Sequence, residues 1–196
     1  MEAPPLVLEG KEVKSVKSFR YLGFILDTQL RWKEKSQRSV GNATKWLMQF
    51  RRLTRPSTGV SGRLMGQLYV AVAQPKMTYG LDIWYSPPHK EQDMVRSKGS
   101  VAVMKSFQKA QRAATLAITG ALRTTPTEML DAHAGILPMD LALRKICFRS
   151  TLRLLTLPDT HPLRNVVEKA KRAQVSSHAG PIDYLLDFCE LKRGRH

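Results

Sequence analysis

The sequence predicts a mainly α protein, in which a small N-terminal antiparallel β element of about three short strands precedes a bundle of about six helices. Aromatic and β-branched residues are concentrated in residues 19–32, the densest β-forming run of the chain. From Lys33 onward, apolar residues recur every three or four positions, as on one face of a helix. The sequence shows no internal repeat of roughly 20–50 residues, which a solenoid would require.

The β element is predicted in two parts. Residues 6–13 are typical of a hairpin, because an apolar run meets a turn at Gly10 and Lys11. Residues 21–26 add a third strand, and Gly23 inside it indicates a bulge or a close approach by another backbone. Asp27 and Thr28 are then expected to turn the chain into the first helix.

Capping and breaking residues delimit the first helices. The first is expected over residues 33–53, with Ala43, Leu47 and Phe50 on its packed face. Ser61 is the expected N-cap of the second helix, which Pro75 should kink or end.

Further helices are predicted in the second half of the chain. One resumes near Val101 and ends at Gly120. A short one starts in a capping box of Thr125 and Glu128, with Pro126 at its first position, and ends at Gly135. The next opens near Met139. Its packed face is expected to carry Leu141, Phe148, Leu152 and Leu155, and Leu143 and Ile146 are expected to widen it. A helix from about residue 162 to 172 and a short amphipathic segment at 181–188 complete the prediction.

This pattern suggests a division into a β element (1–32), a helical region (33–157) and a C-terminal helix with a basic tail (158–196). The chain has 196 residues, of which 42% are hydrophobic, and this supports a packed core. Whole-chain disorder is excluded on the same ground.

The net charge is the strongest functional signal. There are 32 Lys and Arg residues against 16 Asp and Glu residues, which gives +16. Such an excess points first to nucleic acid and second to an anionic membrane surface. Because the positive residues are interleaved with apolar ones along predicted helices, they suggest a folded basic face, although an ordinary solvated surface is the alternative.

The two cysteines and the lengths of the apolar runs restrict the class of protein further. Cys147 and Cys189 are distant from each other and have no histidine at metal-ligand spacing, so neither a disulfide framework nor a metal motif is indicated. Because the cysteines form no disulfide framework, we expect the protein to reside in a reducing compartment. We expect an intracellular protein of the nucleus or cytoplasm with no membrane partner. No apolar run reaches the length of a transmembrane helix.

Catalytic constellations are not visible in the sequence. The aspartates are isolated from one another, whereas two-metal phosphoryl transfer needs clustered carboxylates. The chain has no P-loop and no nucleophile elbow, and Cys147 lies on an apolar helical face where a core thiol is expected. We therefore expect no catalytic residue, no metal site and no cofactor on this chain, and an enzyme of an unrelated class remains the alternative.

Candidate nucleic-acid contacts are the basic residues of two predicted helices. Lys105, Lys109 and Arg112 are spaced by four and three positions and form one ridge that could follow a phosphate backbone. The other candidates lie on the first helix, at its end, or after the helix that ends at Gly120: Lys45, Arg51, Arg52, Arg55 and Arg123. Because cations also suit a helix C-terminus, part of this set has a purely structural alternative.

Four blocks of the sequence, in register, resemble the reverse transcriptases of non-LTR (LINE-type) retrotransposons. The first block is Phe-Arg-Tyr-Leu-Gly-Phe-Ile-Leu-Asp at residues 19–27, followed by Leu-Arg-Trp at 30–32. The other blocks lie at residues 68–84, 107–126 and 134–140, so the resemblance covers roughly residues 6–157. It is similar to the part of that family that follows the palm active site.

The resemblance implies a function for the chain. Tyr21, Leu22 and Gly23 would correspond to the primer grip, and the helices after Trp32 to the thumb and connector that hold template and primer. The implied partners are RNA or an RNA–DNA hybrid, contacted through the backbone, and the palm domain of the parent polymerase. That family is an RNA-directed DNA polymerase that uses divalent metal, Mg²⁺.

The palm aspartates would precede residue 1, so the resemblance implies a fragment that binds nucleic acid without the catalytic aspartates. A truncated gene model, a decayed element and a reused piece are equally compatible with this. The alternative function is a helical, basic protein-interaction module with no polymerase role.

Overall fold

The computed structural model describes residues 6–13, 16–53, 59–89, 97 and 99–172. Arg55 and the predicted segment at 181–188 lie outside the described residues. The chain divides between Arg38 and Ser39 into two compact units, each described by itself below. The predicted fold class is confirmed, because two small antiparallel sheets precede a series of helices. The three-part division at 32 and 157 stays a prediction.

The first unit contains two separate hairpins. Strand β1 (Leu6–Leu8) pairs with β2 (Lys11–Val13), and β3 (Ser18–Tyr21) pairs with β4 (Phe24–Asp27). The run expected as one strand across Gly23 is therefore two strands, and the described chain has four strands where about three were expected. Gly23 makes a turn and not a bulge.

The carboxylate of Asp27 connects β4 to the first helix, α1 (Lys33–Leu53). Its Oδ1 atom accepts hydrogen bonds from the backbone N–H groups of Gln29 (3.0 Å) and Arg31 (2.9 Å), and its Oδ2 atom accepts one from Trp32 (2.9 Å). The N–H of Arg31 is the largest of the influences that lower the pKa of this carboxyl group. The predicted turn after Asp27 is confirmed, and the carboxylate is what holds it.

The second unit contains the remaining helices. Helix α2 (Gly62–Leu68) begins at Ser61, whose Oγ accepts from the N–H of Leu64, as the sequence predicted. It continues through a π-helical turn (Tyr69–Ala73) into α3 (Gln74–Met77). The later helices are α4 (Leu81–Trp84), α5 (Val101–Thr119), α6 (Thr127–Ala134), α7 (Met139–Leu155) and α8 (Arg164–Arg172).

The π-helical turn explains how the chain passes Pro75 and remains helical for two more residues. A proline ring in a regular helix clashes with the carbonyl four residues earlier, here that of Ala71. In the wider turn the N–H of Gln74 donates to the carbonyl of Tyr69, five residues earlier, so the helix is locally rewound before the proline. The expected kink is thus a π bulge.

The start of α6 differs from the predicted capping box. Pro126, and not Thr125, is the N-cap residue, and no side chain caps this helix. The hydroxyl of Thr127 accepts a hydrogen bond from the guanidinium of Arg112 (2.9 Å). The predicted start of this helix is confirmed, but the capping box is wrong, and an arginine from α5 binds the segment instead.

The core of the second unit is formed by large side chains with little or no exposed surface, among them Phe50, Met65, Tyr69, Met77, Leu81, Tyr85, Phe107, Leu130, Met139, Leu143 and Cys147. Burial raises the pKa of the Cys147 thiol to about 12, and the nearby Asp82 adds to the effect. The expected core thiol is confirmed.

Helix α7 buries only part of the face that was expected to pack. Its buried residues include Leu143, Cys147 and Thr151, at spacings of four. Leu141, Phe148 and Leu152 do share a face, but they are 48%, 39% and 43% exposed. The prediction failed because α7 has apolar residues on two opposite sides, so periodicity alone could not choose the packed one.

Candidate nucleic-acid interface

The hairpin tip at Tyr21, Leu22 and Gly23 is the first of the predicted contact sites. Leu22 and Gly23 are the two residues of the turn, with φ of +47° and +83°. Positive φ at both positions is the geometry of a type I′ hairpin turn, which suits glycine and asparagine but is strained for leucine. Leu22 is 71% exposed and Tyr21 is 58% exposed, so the tip presents apolar surface outward on a tight turn.

Lys35, which the sequence did not single out, holds the base of this tip. Its Nζ lies 3.5 Å from the carbonyl oxygen of Gly23, to which it donates, and 4.4 Å from the ring centroid of Phe24. The residue is only 4% exposed, and burial lowers its pKa, with a further contribution from the charge of Arg38. A cation over an aromatic face and a hydrogen bond to the turn fix the orientation of the hairpin relative to the first turn of α1.

The predicted contacts on α1 are exposed. Lys45 and Arg52 are seven positions apart, so they lie on the same side of the helix, about 10 Å apart along its axis. That side is opposite to Ala43, Leu47 and Phe50, which face the core. Arg51 is exposed on a neighbouring side, and Arg55 is not described.

The predicted ridge on α5 contains two kinds of residue. Lys105 and Lys109 are exposed, and neither has an ion-pair partner among the residues that the structure describes. Arg112 is half-buried, and its guanidinium donates to the carbonyls of Thr125 (2.8 Å) and Arg123 (2.8 Å) as well as to Thr127 Oγ1. The structure therefore gives Arg112 a structural task that spacing could not reveal.

The contacts of Arg112 also bring two predicted residues together. Arg123 is exposed in the loop between α5 and α6, and its carbonyl is held by the Nη2 atom of Arg112. Lys109 is three positions before Arg112 on the same helix. Of the predicted contacts, Arg112 and Arg123 are therefore joined by a hydrogen bond to the backbone, and Lys109 lies one helical turn before Arg112.

Helix α7 carries a second basic row, which was not predicted from the sequence. Lys145, Arg149 and Arg153 are exposed and spaced by four, so they form a line beside the apolar residues Leu141 and Leu152. Lys145 and Arg149 also line an open groove of about 510 Å³ between α7 and the segment from Val70 to Thr78. The spacing of these cations by four is visible in the sequence.

Metal chemistry has no support in the described part of the chain. Nowhere in it do three or more Asp, Glu, His or Cys side chains lie together in a group that could hold a metal ion. The residues present do not fit the Mg²⁺ of the resembling family, and the expectation that this chain carries no cofactor stays a prediction. In the same residues, the structure contains no helix with the length and apolar character needed to span a membrane.

Comparison with known proteins identifies two relatives among curated proteins. The chain is 25% identical over 142 residues to the "Retrovirus-related Pol polyprotein from type-1 retrotransposable element R1 3" of Nasonia vitripennis. It is 23% identical over 151 residues to the "Putative 115 kDa protein in type-1 retrotransposable element R1DM" of Drosophila melanogaster. The alignments cover 72% and 77% of this chain, but only 35% and 14% of the relatives. No protein-family model and no solved structure matches the chain.

Proposed function

We propose that this chain binds the template–primer nucleic acid of a LINE-type reverse transcriptase, as its primer grip and thumb. The chain is homologous to part of the polyproteins of non-LTR R1 retrotransposons and is a LINE-type reverse-transcriptase-related region. Its own task is to hold the phosphate backbone. Polymer synthesis belongs to a palm domain with which it acts, and in this proposal the chain supplies no catalytic carboxylate.

The observation that carries the proposal is the set of exposed cations that have no ion-pair partner within the described residues. Lys45, Arg52, Lys105, Lys109 and Arg123 all present their charge to solvent, on a chain with a net charge of +16. Lysine and arginine that are not neutralised by acidic neighbours are suited to displacing the counterions of a nucleic acid. Such contacts are independent of base sequence, as template–primer binding requires.

The hairpin tip supports the primer-grip part of the proposal. Leu22 is an exposed leucine in a strained backbone conformation, and such strain often accompanies function. Phe19 and Tyr21 on β3 are also exposed. In the parent polymerase we expect this surface to contact the palm and the primer end.

A salt titration tests the proposal directly. Fluorescence anisotropy of a labelled RNA–DNA hybrid should show binding at low salt that weakens steeply and linearly on a logarithmic salt scale. Absence of affinity for the hybrid at low salt contradicts the binding role. Metal-dependent polymerase activity of the purified chain contradicts the statement that it supplies no catalytic residue.

The second candidate function is a protein-interaction module. The specific observation that favours it is the exposed face of α7, where apolar and basic residues run side by side. Recovery of a stable protein partner, together with nucleic-acid affinity that is insensitive to neutralising Lys105 and Lys109, is the result that supports this candidate.

A further inference from the structure

Two cavities lie side by side along the helix that runs from α2 through the π-helical turn into α3. The first, of about 770 Å³, lies between this helix, the end of α5 and the residues from Ala132 to Ile136. The second, of about 510 Å³, lies between the same helix and α7. Val70 and Gly135 line both cavities, so the cavities adjoin, and together we call them the α2–α7 groove.

Positive charge borders this groove. Arg63 lines the first cavity, and Lys145 and Arg149 line the second. All three side chains are exposed, and none of them forms an ion pair with any residue that the structure describes. Among the described residues that line the groove, none is an aspartate or a glutamate. Charge complementarity therefore favours an anionic occupant.

The inner surface of the groove is mostly apolar. Its walls carry aliphatic side chains, which include Val70, Ile118, Ile136, Leu137 and Ile146. Val70 belongs to the π-helical turn at the place where the two cavities adjoin, and it is 46% exposed. Such turns occur frequently at functional sites. An occupant that fits this groove combines negative charge with exposed apolar faces.

A single strand of nucleic acid has this combination, whereas a duplex does not. In a duplex the faces of the bases are stacked on one another, so the phosphates dominate the surface that a protein meets. In a single strand the unstacked bases are free to lie against protein side chains and guanidinium planes. The groove therefore suits a single strand better than the template–primer duplex.

Two glutamines distinguish a single strand from the other anionic occupant, an acidic amphipathic helix of a protein. Gln67 and Gln74 line the groove, and their side-chain amides make no hydrogen bond with a described residue. An amide both donates and accepts, so it can pair with base edges and with the 2′-hydroxyl of RNA. The apolar face of a helix would cover these amides without a partner, which costs free energy.

We propose that the α2–α7 groove binds a single-stranded segment of RNA. Phosphates of the strand contact Arg63 in one cavity and Lys145 and Arg149 in the other, and bases lie against the apolar walls around Val70. This inference rests on the proposed function for the class of ligand and extends it from the duplex to a single strand. None of the described residues that line the groove is aromatic, so we expect little preference for base sequence.

Anisotropy titrations of the full chain at low salt test the proposal with two labelled probes, a short oligouridine and a blunt RNA–DNA hybrid. Lys145→Ala combined with Arg149→Ala should weaken binding of the oligouridine by about tenfold, because two phosphate contacts are lost. The same double variant should bind the hybrid as the unmodified chain does. Lys17→Ala with Lys169→Ala removes the same charge from other exposed positions and should change the affinity for the oligouridine by less than about twofold.

A negative charge placed in the middle of the groove provides a second arm of the test. Val70→Glu should weaken binding of the oligouridine severalfold. Leu64→Glu makes the same kind of change on α2, at a position that is 56% exposed and does not line the groove, and it should leave binding unchanged. Circular dichroism and the midpoint of thermal unfolding verify that both variants are folded.

An oligodeoxyuridine of the same length tests the choice of RNA, because it lacks only the 2′-hydroxyls, and it should bind more weakly than the oligouridine. Equal affinity for the two overturns the assignment to RNA.

Absence of binding to the oligouridine overturns the proposal. Equal losses in the groove variants and their controls also overturn it, and they leave the groove to an acidic helix of a protein partner. Equal losses for the oligouridine and the hybrid in the Lys145 and Arg149 double variant overturn it too, because these cations would then contact the duplex. If the unmodified chain binds the oligouridine but not the hybrid, the proposed template–primer role fails while the assignment of the groove stands.

Discussion

The hydroxyl of Tyr69 donates a hydrogen bond of 3.2 Å to Oε1 of Gln111, and both side chains are buried. The amide of Gln111 donates in turn to the carbonyl of Leu137 (3.1 Å). This chain of hydrogen bonds joins the π-helical turn, α5 and the segment before α7. Burial, assisted by the nearby Asp131, raises the pKa of Tyr69 far above its ordinary value, so the phenol remains a donor.

The variant Tyr69→Phe should lower the free energy of unfolding by about 1–2 kcal/mol, because it leaves a buried acceptor on Gln111 without its donor. Chemical denaturation monitored by circular dichroism measures this. Tyr21→Phe removes an exposed hydroxyl and should change stability by less than about 0.5 kcal/mol. Equal stability of the two variants would show that the buried hydrogen bond contributes nothing.

The stability of the second unit should depend on the charge of Asp131. This side chain is 4% exposed, and its Oδ1 has no hydrogen-bond partner within the described residues. Burial raises its pKa, a hydrogen bond with Gln111 partly opposes this, and Glu128 and Asp140 reinforce it. A carboxyl whose pKa is raised by folding is accommodated at low pH, and it costs stability as the pH rises through the folded-state pKa.

The variant Asp131→Asn should therefore be more stable than the parent near neutral pH, and the difference should shrink as the pH falls toward the ordinary range of an aspartate, about 3.9. Urea denaturation at a series of pH values measures it. Glu12→Gln, at an exposed position, is the control and should show no such trend. A stability difference that stays flat with pH argues against a raised pKa at Asp131.

Arg112→Lys should destabilise the junction of α5 and α6 although it keeps the charge. The planar guanidinium binds three acceptors around residues 123–127, and an ammonium group cannot reproduce that fork. We expect a loss of about 1–3 kcal/mol in the free energy of unfolding. Arg52→Lys, at an exposed position, should change it by less than about 0.5 kcal/mol. If Arg112 served only as a phosphate contact, the two variants would have the same stability.

Leu22→Asn should stabilise the β3–β4 hairpin and weaken binding of nucleic acid. Asparagine followed by glycine is the preferred pair for a turn with two positive φ angles, and the strain released is about 1 kcal/mol. Slower hydrogen exchange of the Tyr21 and Phe24 amides would report the stabilisation. Lower affinity for an RNA–DNA hybrid at the same time would assign the exposed leucine to binding, whereas faster exchange would contradict the strain argument.

Much of this architecture follows from local sequence signals. The bounds of α1, the cap at Ser61 and the ends of α5 and α6 at Gly120 and Gly135 were predicted, because each depends on residues close in sequence. Gly120 and Gly135 adopt the left-handed conformation that such helix ends need.

The errors arose where distant residues decide the local structure. Arg112 of α5 binds the carbonyl of Thr125, where a capping box was expected, and tertiary packing leaves Leu141 and Phe148 on the exposed side of α7. The candidate contacts follow the same division. Their exposure could be foreseen from residue type, but the three hydrogen bonds of the Arg112 guanidinium depend on residues that the sequence alone does not bring together.

The central claim is that exposed cations of α5 hold a phosphate backbone, and the salt dependence of a double variant tests it most directly. Lys105→Ala with Lys109→Ala should weaken binding of an RNA–DNA hybrid in anisotropy titrations. It should also reduce the slope of log affinity against log salt by about 2, because two phosphate contacts are lost. Lys17→Ala with Lys169→Ala removes the same charge from other exposed positions and should leave the slope unchanged. Identical slopes for the two double variants would contradict the account.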